Sequence, residues 1–156
     1  MDRGGLWRAA FGGNLRLLER NGGDLTEELA GRRPAPDVAS AAWLLGHLIL
    51  TRRRLLELAG AKPVEDPAWS THYGGGTSGI EAHLAWPALV ETFRALDGTL
   101  GEAFEILADW DRPTWNPALR VDQPLEQVVA FLFRHECYHL GQLGLARKLY
   151  GLPGAI

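Results

Sequence analysis

Apolar residues recur along this chain at intervals of three and four, and no stretch shows the strict alternation of a half-buried strand. Four segments carry the helical period. The first runs from about Leu6 to Arg20 and stops at Asn21-Gly22-Gly23, a strong end signal. The second follows Pro34-Ala35-Pro36-Asp37 and continues to about Ala59, before Gly60. The third opens at Trp86-Pro87, where proline suits a first helical turn, and reaches about Trp110. The fourth begins after Asp122-Gln123-Pro124 and continues through Tyr150, with Gly151 and Pro153 beyond it. These segments predict an all-α fold, an up-and-down four-helix bundle with a long connection between the second and third helices. The connection, about Ala61 to Ala85, holds Trp69, His72, Tyr73, a Gly74-Gly75-Gly76 run and His83. Connections that long in compact domains are often lids or binding loops.

Composition narrows the class. A length of 156 residues suits one domain, taken as 1–156, with a core that needs no disulfide or zinc staple. A net charge of -3 gives no electrostatic reason to expect nucleic acid or an anionic membrane surface as partner. Cys137 is the single cysteine, so no intramolecular disulfide can form, and a reducing cytoplasm is the expected location. The opening residues do not read as a secretory signal. The most apolar segment, Val38 to Leu50, is broken by Ser40 and His47 and halted by Arg52-Arg53-Arg54, too short to span a bilayer.

The fourth helix carries His135-Glu136-Cys137-Tyr138-His139. At about 100° per residue the two histidines sit about 40° apart, one turn from each other. Their face continues through Val128, Phe131, Leu132, Gln142, Ala146 and Leu149, and is apolar except for Gln142 and the histidines. Imidazoles on such a face need partners for their nitrogens, and either a metal ion or other side chains and water can supply them. The H-E-x-x-H spacing also matches a metalloprotease helix with glutamate as base. No His, Asp, Glu or Cys follows His139, so the downstream ligand of that class is missing and protease is a minor alternative. A third ligand must come from upstream. His47 is the candidate, on a second-helix face shared with Ser40, Trp43, Leu44, Thr51 and Leu58. Three neutral ligands would leave coordination positions open, as in a reactive site.

Other residues keep two readings. His72 and His83 are either lid or ligand residues or ordinary loop histidines. Glu136 either touches metal-bound water or packs beside a neighbouring helix. Cys137, across the helix from His135, reads as a packed or interfacial thiol, and Tyr138 as a packing residue. Arg52, Arg53 and Arg54 form either a solvated basic face or a hold for an acidic substrate, with Arg54 nearest the His47 face.

Ser40-Ala41-Ala42-Trp43-Leu44-Leu45-Gly46-His47-Leu48 and His135-Glu136-Cys137-Tyr138-His139-Leu140-Gly141-Gln142-Leu143, with Trp69 and His72-Tyr73-Gly74-Gly75-Gly76-Thr77-Ser78 between them, resemble the DinB-like proteins of the DinB/YfiT superfamily. The resemblance spans nearly the whole chain. It implies a bundle with a long second connection, often a homodimer, and one divalent ion, zinc or nickel, on three histidines that map to His47, His135 and His139. Gln142 matches a glutamine that orients a ligand or bonds backbone. Some relatives are transferases using a low-molecular-weight thiol. The resemblance does not imply DNA binding. The expected function is therefore a metal-dependent thiol S-transferase or hydrolase with a small-molecule substrate, in which metal activates a thiol or water and Glu136 and Gln142 are candidate catalytic groups. A non-catalytic metal-binding or sensing bundle, and a dimerisation scaffold with ordinary core histidines, are the alternatives.

Overall fold

A computed structural model describes residues 2–62, 66–79 and 81–154. Its elements are α1 (Arg3–Gly22), α2 (Glu27–Gly31), α3 (Ala41–Leu58), α4 (Pro67–Tyr73), α5 (Trp86–Ile106), β1 (Pro113–Asn116), β2 (Val121–Pro124) and α6 (Leu125–Leu149). The four long helices are the expected ones. Their starts follow from local chemistry. Asp2 accepts the Gly5 amide at 2.7 Å and Ser40 accepts the Trp43 amide at 3.1 Å, each satisfying a helix N-terminal donor. The second helix thus begins at Ala41, after a stretch of turns from the Pro34-Ala35-Pro36 segment.

α1 and α3 each pack on α5 and α6, while neither α1 with α3 nor α5 with α6 forms a packed pair. One core cluster joins Leu18, the first half of α3 from Ala41 to Ile49, Trp86 to Phe93 of α5, and Leu140 and Leu143. The other joins Phe11, Leu55, Leu56, Leu100, Phe104, Leu125 and Val129. The order of residues through these clusters sets the directions. α3 runs antiparallel to α6 and parallel to α5, and α1 runs parallel to α6. The expected up-and-down bundle is thereby refined to up, down, down, up. Parallel α3 and α5 require a connection that returns along the bundle, and residues 59–85 supply it. Part of it is helical: α4 buries Trp69 and Tyr73 against α3.

Two features depart from the expected pattern. The third helix stops at Ile106 rather than near Trp110, because Trp110 turns into the core against Phe104, 5.6 Å between ring centroids. The chain then forms a two-stranded antiparallel hairpin, Pro113 opposite Pro124 and Asn116 opposite Val121. Its four-residue strands are too short to print an alternation in the sequence. Among the described residues no helix is long and apolar enough to cross a membrane.

A candidate three-histidine metal centre

His47 lies on α3, and His135 and His139 lie one turn apart on α6. Antiparallel packing of those helices brings the three together, each partly buried, with one ligand atom from each within 4.8 Å of the others. His135 Nε2 is 3.2 Å from His47 Nε2 and 3.1 Å from His139 Nε2. This is the only cluster of three or more such side chains among the described residues.

The far nitrogens set the chemistry. His47 Nδ1 lies 2.7 Å from the Tyr73 carbonyl, which can only accept, so the ring proton is on Nδ1 and Nε2 presents a lone pair. His139 Nδ1 lies 2.6 Å from Gln142 Oε1, with the same consequence. The lone pairs of His47 and His139 thus both face His135 Nε2. One proton on His135 could satisfy one of them, and a cation satisfies all three. His135 Nδ1 is buried with no partner among the described residues. Bond lengths of 2.0–2.1 Å around zinc put neighbouring ligand nitrogens about 3.3 Å apart in a tetrahedron and about 2.9 Å apart in an octahedron. The separations observed, 3.1 and 3.2 Å, fall between these values, so the donor set fits a divalent ion of either geometry.

Burial and the neighbouring imidazoles of His139 and His47 push the His135 pKa down to about 4. Burial, aided by His47 and opposed by the Gln142 hydrogen bond, also lowers that of His139. Both rings are therefore neutral near pH 7, the form that binds metal.

The long connection holds His47 in place. The Tyr73 ring sits where Gly46 has no side chain, since a Cβ there would lie 2.2 Å from ring carbons. Trp69 Nε1 donates to the Gly46 carbonyl at 2.9 Å. Trp43 stacks on His47 with 4.9 Å between centroids, and its Nε1 donates to Thr77 Oγ1 in the glycine-rich loop at 3.1 Å. On the other side Gln142 Nε2 donates to the Tyr138 hydroxyl at 3.2 Å, and the Tyr138 ring meets His139 edge-on at 5.2 Å. Tyr138 is 63% exposed, so its reading as a packing residue is corrected: it stands at the rim of the site. A shallow depression bounded by Phe131, Arg134, His135 and Tyr138 opens there.

The remaining candidates fall elsewhere. His72 and His83 stack on each other at 4.8 Å, apart from the three-histidine cluster. Cys137 packs towards α1, its Sγ 3.5 Å from Asn14 Oδ1. Glu136 is fully buried and packs against the neighbouring helix: Arg52 Nε and Nη2 donate to its two oxygens at 2.9 and 2.8 Å. Arg52 also donates to Asp97 at 2.7 Å and lies 3.7 Å over the Phe93 ring. Arg53 covers Trp69 at 4.0 Å, and Arg54 pairs with Glu57 at 2.8 Å. The three arginines are thus neither one solvated face nor one substrate clamp.

A sequence profile of the DinB superfamily matches residues 15–143, a span that includes all three histidines and the whole long connection. The chain belongs to the DinB superfamily. No curated protein sequence matches this DinB-superfamily chain. Among solved structures it is similar to YfiT from Bacillus subtilis, described as a probable metal-dependent hydrolase with an unusual four-helix bundle topology. That match has a TM-score of 0.69 at 12% identity and covers 98% of this chain and 91% of the other. At such identity the likeness is one of fold.

Proposed function

We propose that this DinB-superfamily chain is a divalent-metal-dependent enzyme acting on a small molecule, with hydrolysis as its reaction. The observation that carries this reading is the convergence of three imidazole Nε2 atoms, two with their protons fixed on the far nitrogen, without a fourth protein ligand in the cluster among the described residues. His47, His135 and His139 hold the ion, and zinc and nickel both suit three imidazoles. When bound, the ion lowers the pKa of water or a thiol and polarises a substrate oxygen. The Tyr73 carbonyl and Gln142 fix the ring orientations. Because Tyr138 oxygen accepts from Gln142, its own proton is directed elsewhere, available to a substrate at the rim. The fold likeness to YfiT, described as a probable metal-dependent hydrolase, favours water over thiol as nucleophile. Transfer of a low-molecular-weight thiol is the variant in which thiol takes water's place.

The test is elemental analysis of the purified chain, followed by assays of zinc- and nickel-loaded protein on ester, amide and electrophile panels, with and without cellular thiols. Bound metal, turnover without thiol, and loss of both in His47→Ala are expected. A chain that takes up no metal would sink the proposal, and turnover only with thiol would replace hydrolysis by transfer.

A further inference from the structure

The α3–α6 seam that holds the histidines continues past them. Because the helices are antiparallel, stepping from His47 to Thr51, Arg54 and Leu58 moves the same way as stepping from His135 to Leu132, Phe131 and Val128. At 1.5 Å rise per residue, Phe131 lies about 6 Å and Val128 about 10 Å along the axis from His135. Over this stretch the turn of the β1–β2 hairpin closes down. Trp115 and Ala118 from the hairpin, Leu58 from α3, and Val128 and Leu132 from α6 enclose a slot of about 60 Å³. Phe131 lines both this slot and the depression beside His135, so the two adjoin.

The slot is apolar. Arg54 stands at its edge but is turned to Glu57. Asn116 directs Oδ1 to the Ala118 and Leu119 amides, leaving Nδ2 as a buried donor without an acceptor among the described residues. Trp115 is 52% exposed, apolar surface that an occupant would cover.

We propose that this slot receives the alkyl tail of a substrate whose polar head reacts at the three histidines, an inference that rests on the metal-dependent reading above. Its volume of about 60 Å³ is well under the ~150 Å³ that accommodates a benzene ring, so the tail is a linear or singly branched chain and not an aromatic ring. Spanning about 6–10 Å takes roughly five to eight bonds at ~1.2 Å each. The substrate class is therefore a medium-chain acyl or alkyl compound with a metal-binding head.

Straight-chain hydroxamates of two to ten carbons, titrated into the zinc-loaded protein by calorimetry, test this. Affinity should be flat up to about four carbons. It should then rise about four-fold per methylene, from ~0.8 kcal/mol per buried CH₂, and level off near eight carbons. The octano-to-acetohydroxamate affinity ratio should be on the order of 100-fold. Ala118→Trp, which fills the slot, should collapse that ratio towards one, and Trp115→Ala, which unroofs it, should lower it several-fold. Methyl resonances of Leu58, Val128 and Leu132 should shift with octanohydroxamate and not with acetohydroxamate. A flat series with unmoved methyls overturns the slot. If the chain takes up no metal, the same methyls are read on metal-free protein: a shift keeps the slot while the metal reading falls, and no shift overturns the slot as well.

Discussion

Replacing Arg52 by methionine isolates the interaction that ties α3 to α6 behind the histidines. Both Arg52 and Glu136 are fully buried, and the guanidinium makes two hydrogen bonds to Glu136, at 2.9 and 2.8 Å, plus one to Asp97 at 2.7 Å. Methionine fills much of the space but leaves the Glu136 carboxylate without partner or water. Removing one side of such a pair costs about 3–5 kcal/mol, a large part of a total of ~5–15 kcal/mol. At about 2–4 °C per kcal/mol for a chain of this size, the melting temperature should fall by roughly 6–20 °C. Arg52→Met/Glu136→Met should recover most of the loss, since an apolar pair of similar volume is often neutral; Asp97, 20% exposed, can be solvated. Urea unfolding of both singles and the double variant decides it. A loss below about 1 kcal/mol, or a double variant no better than Arg52→Met, would refute the reasoning.

Gln142→Leu removes the acceptor that orients His139 and should weaken zinc binding by about 10–100-fold with little change in the urea midpoint, read by chelator competition; unchanged affinity would remove Gln142 from the support of the site. Gly46→Ala would set a methyl 2.2 Å from the fully buried Tyr73 ring; it should cost about 1–3 kcal/mol and weaken zinc binding through His47, and an unaffected variant would show that the ring does not set the site. In metal-free protein the lowered pKa values of His135 and His139 mean that the unfolded chain takes up protons first as pH drops below about 6.5. Stability should then fall between pH 7 and about pH 4, and less steeply in His135→Asn/His139→Asn; superimposable pH profiles from urea unfolding would count against this assignment.

The helices and the three histidines were legible because burial imposes a period that side chains obey. His135 and His139 on one apolar face and His47 on another were enough to expect their meeting. The arginine run misled because successive helical residues point about 100° apart and cannot share one environment. A correct signal was present. Arg52 occupies the core stripe of Leu45, Leu48, Ile49, Leu55 and Leu56, and Glu136 that of Val129, Leu140 and Leu143. Opposite charges in two core stripes can stay buried only if paired with each other or with further partners. Other parts left no comparable trace. The Tyr73 contact to His47 is made by a backbone carbonyl, which every residue type has. The hairpin that roofs the slot has strands of four residues, shorter than the window over which alternation becomes visible.

The direction of the chain and the support of the site have a common cause. A bundle with α3 and α5 antiparallel could be joined by a short turn at one end. Here they are parallel, so the chain must cross the length of the bundle, and on the way α4 lies along α3. Three of its contacts fall on two consecutive residues: Trp69 Nε1 on the Gly46 carbonyl, the Tyr73 ring on the Gly46 backbone, and the Tyr73 carbonyl on His47 Nδ1. The crossing therefore fixes the tautomer of the one candidate ligand that does not come from α6. His135 and His139 are spaced by their own helix, whatever the rest of the fold does. His47 has no such local constraint, and the long connection is what supplies it.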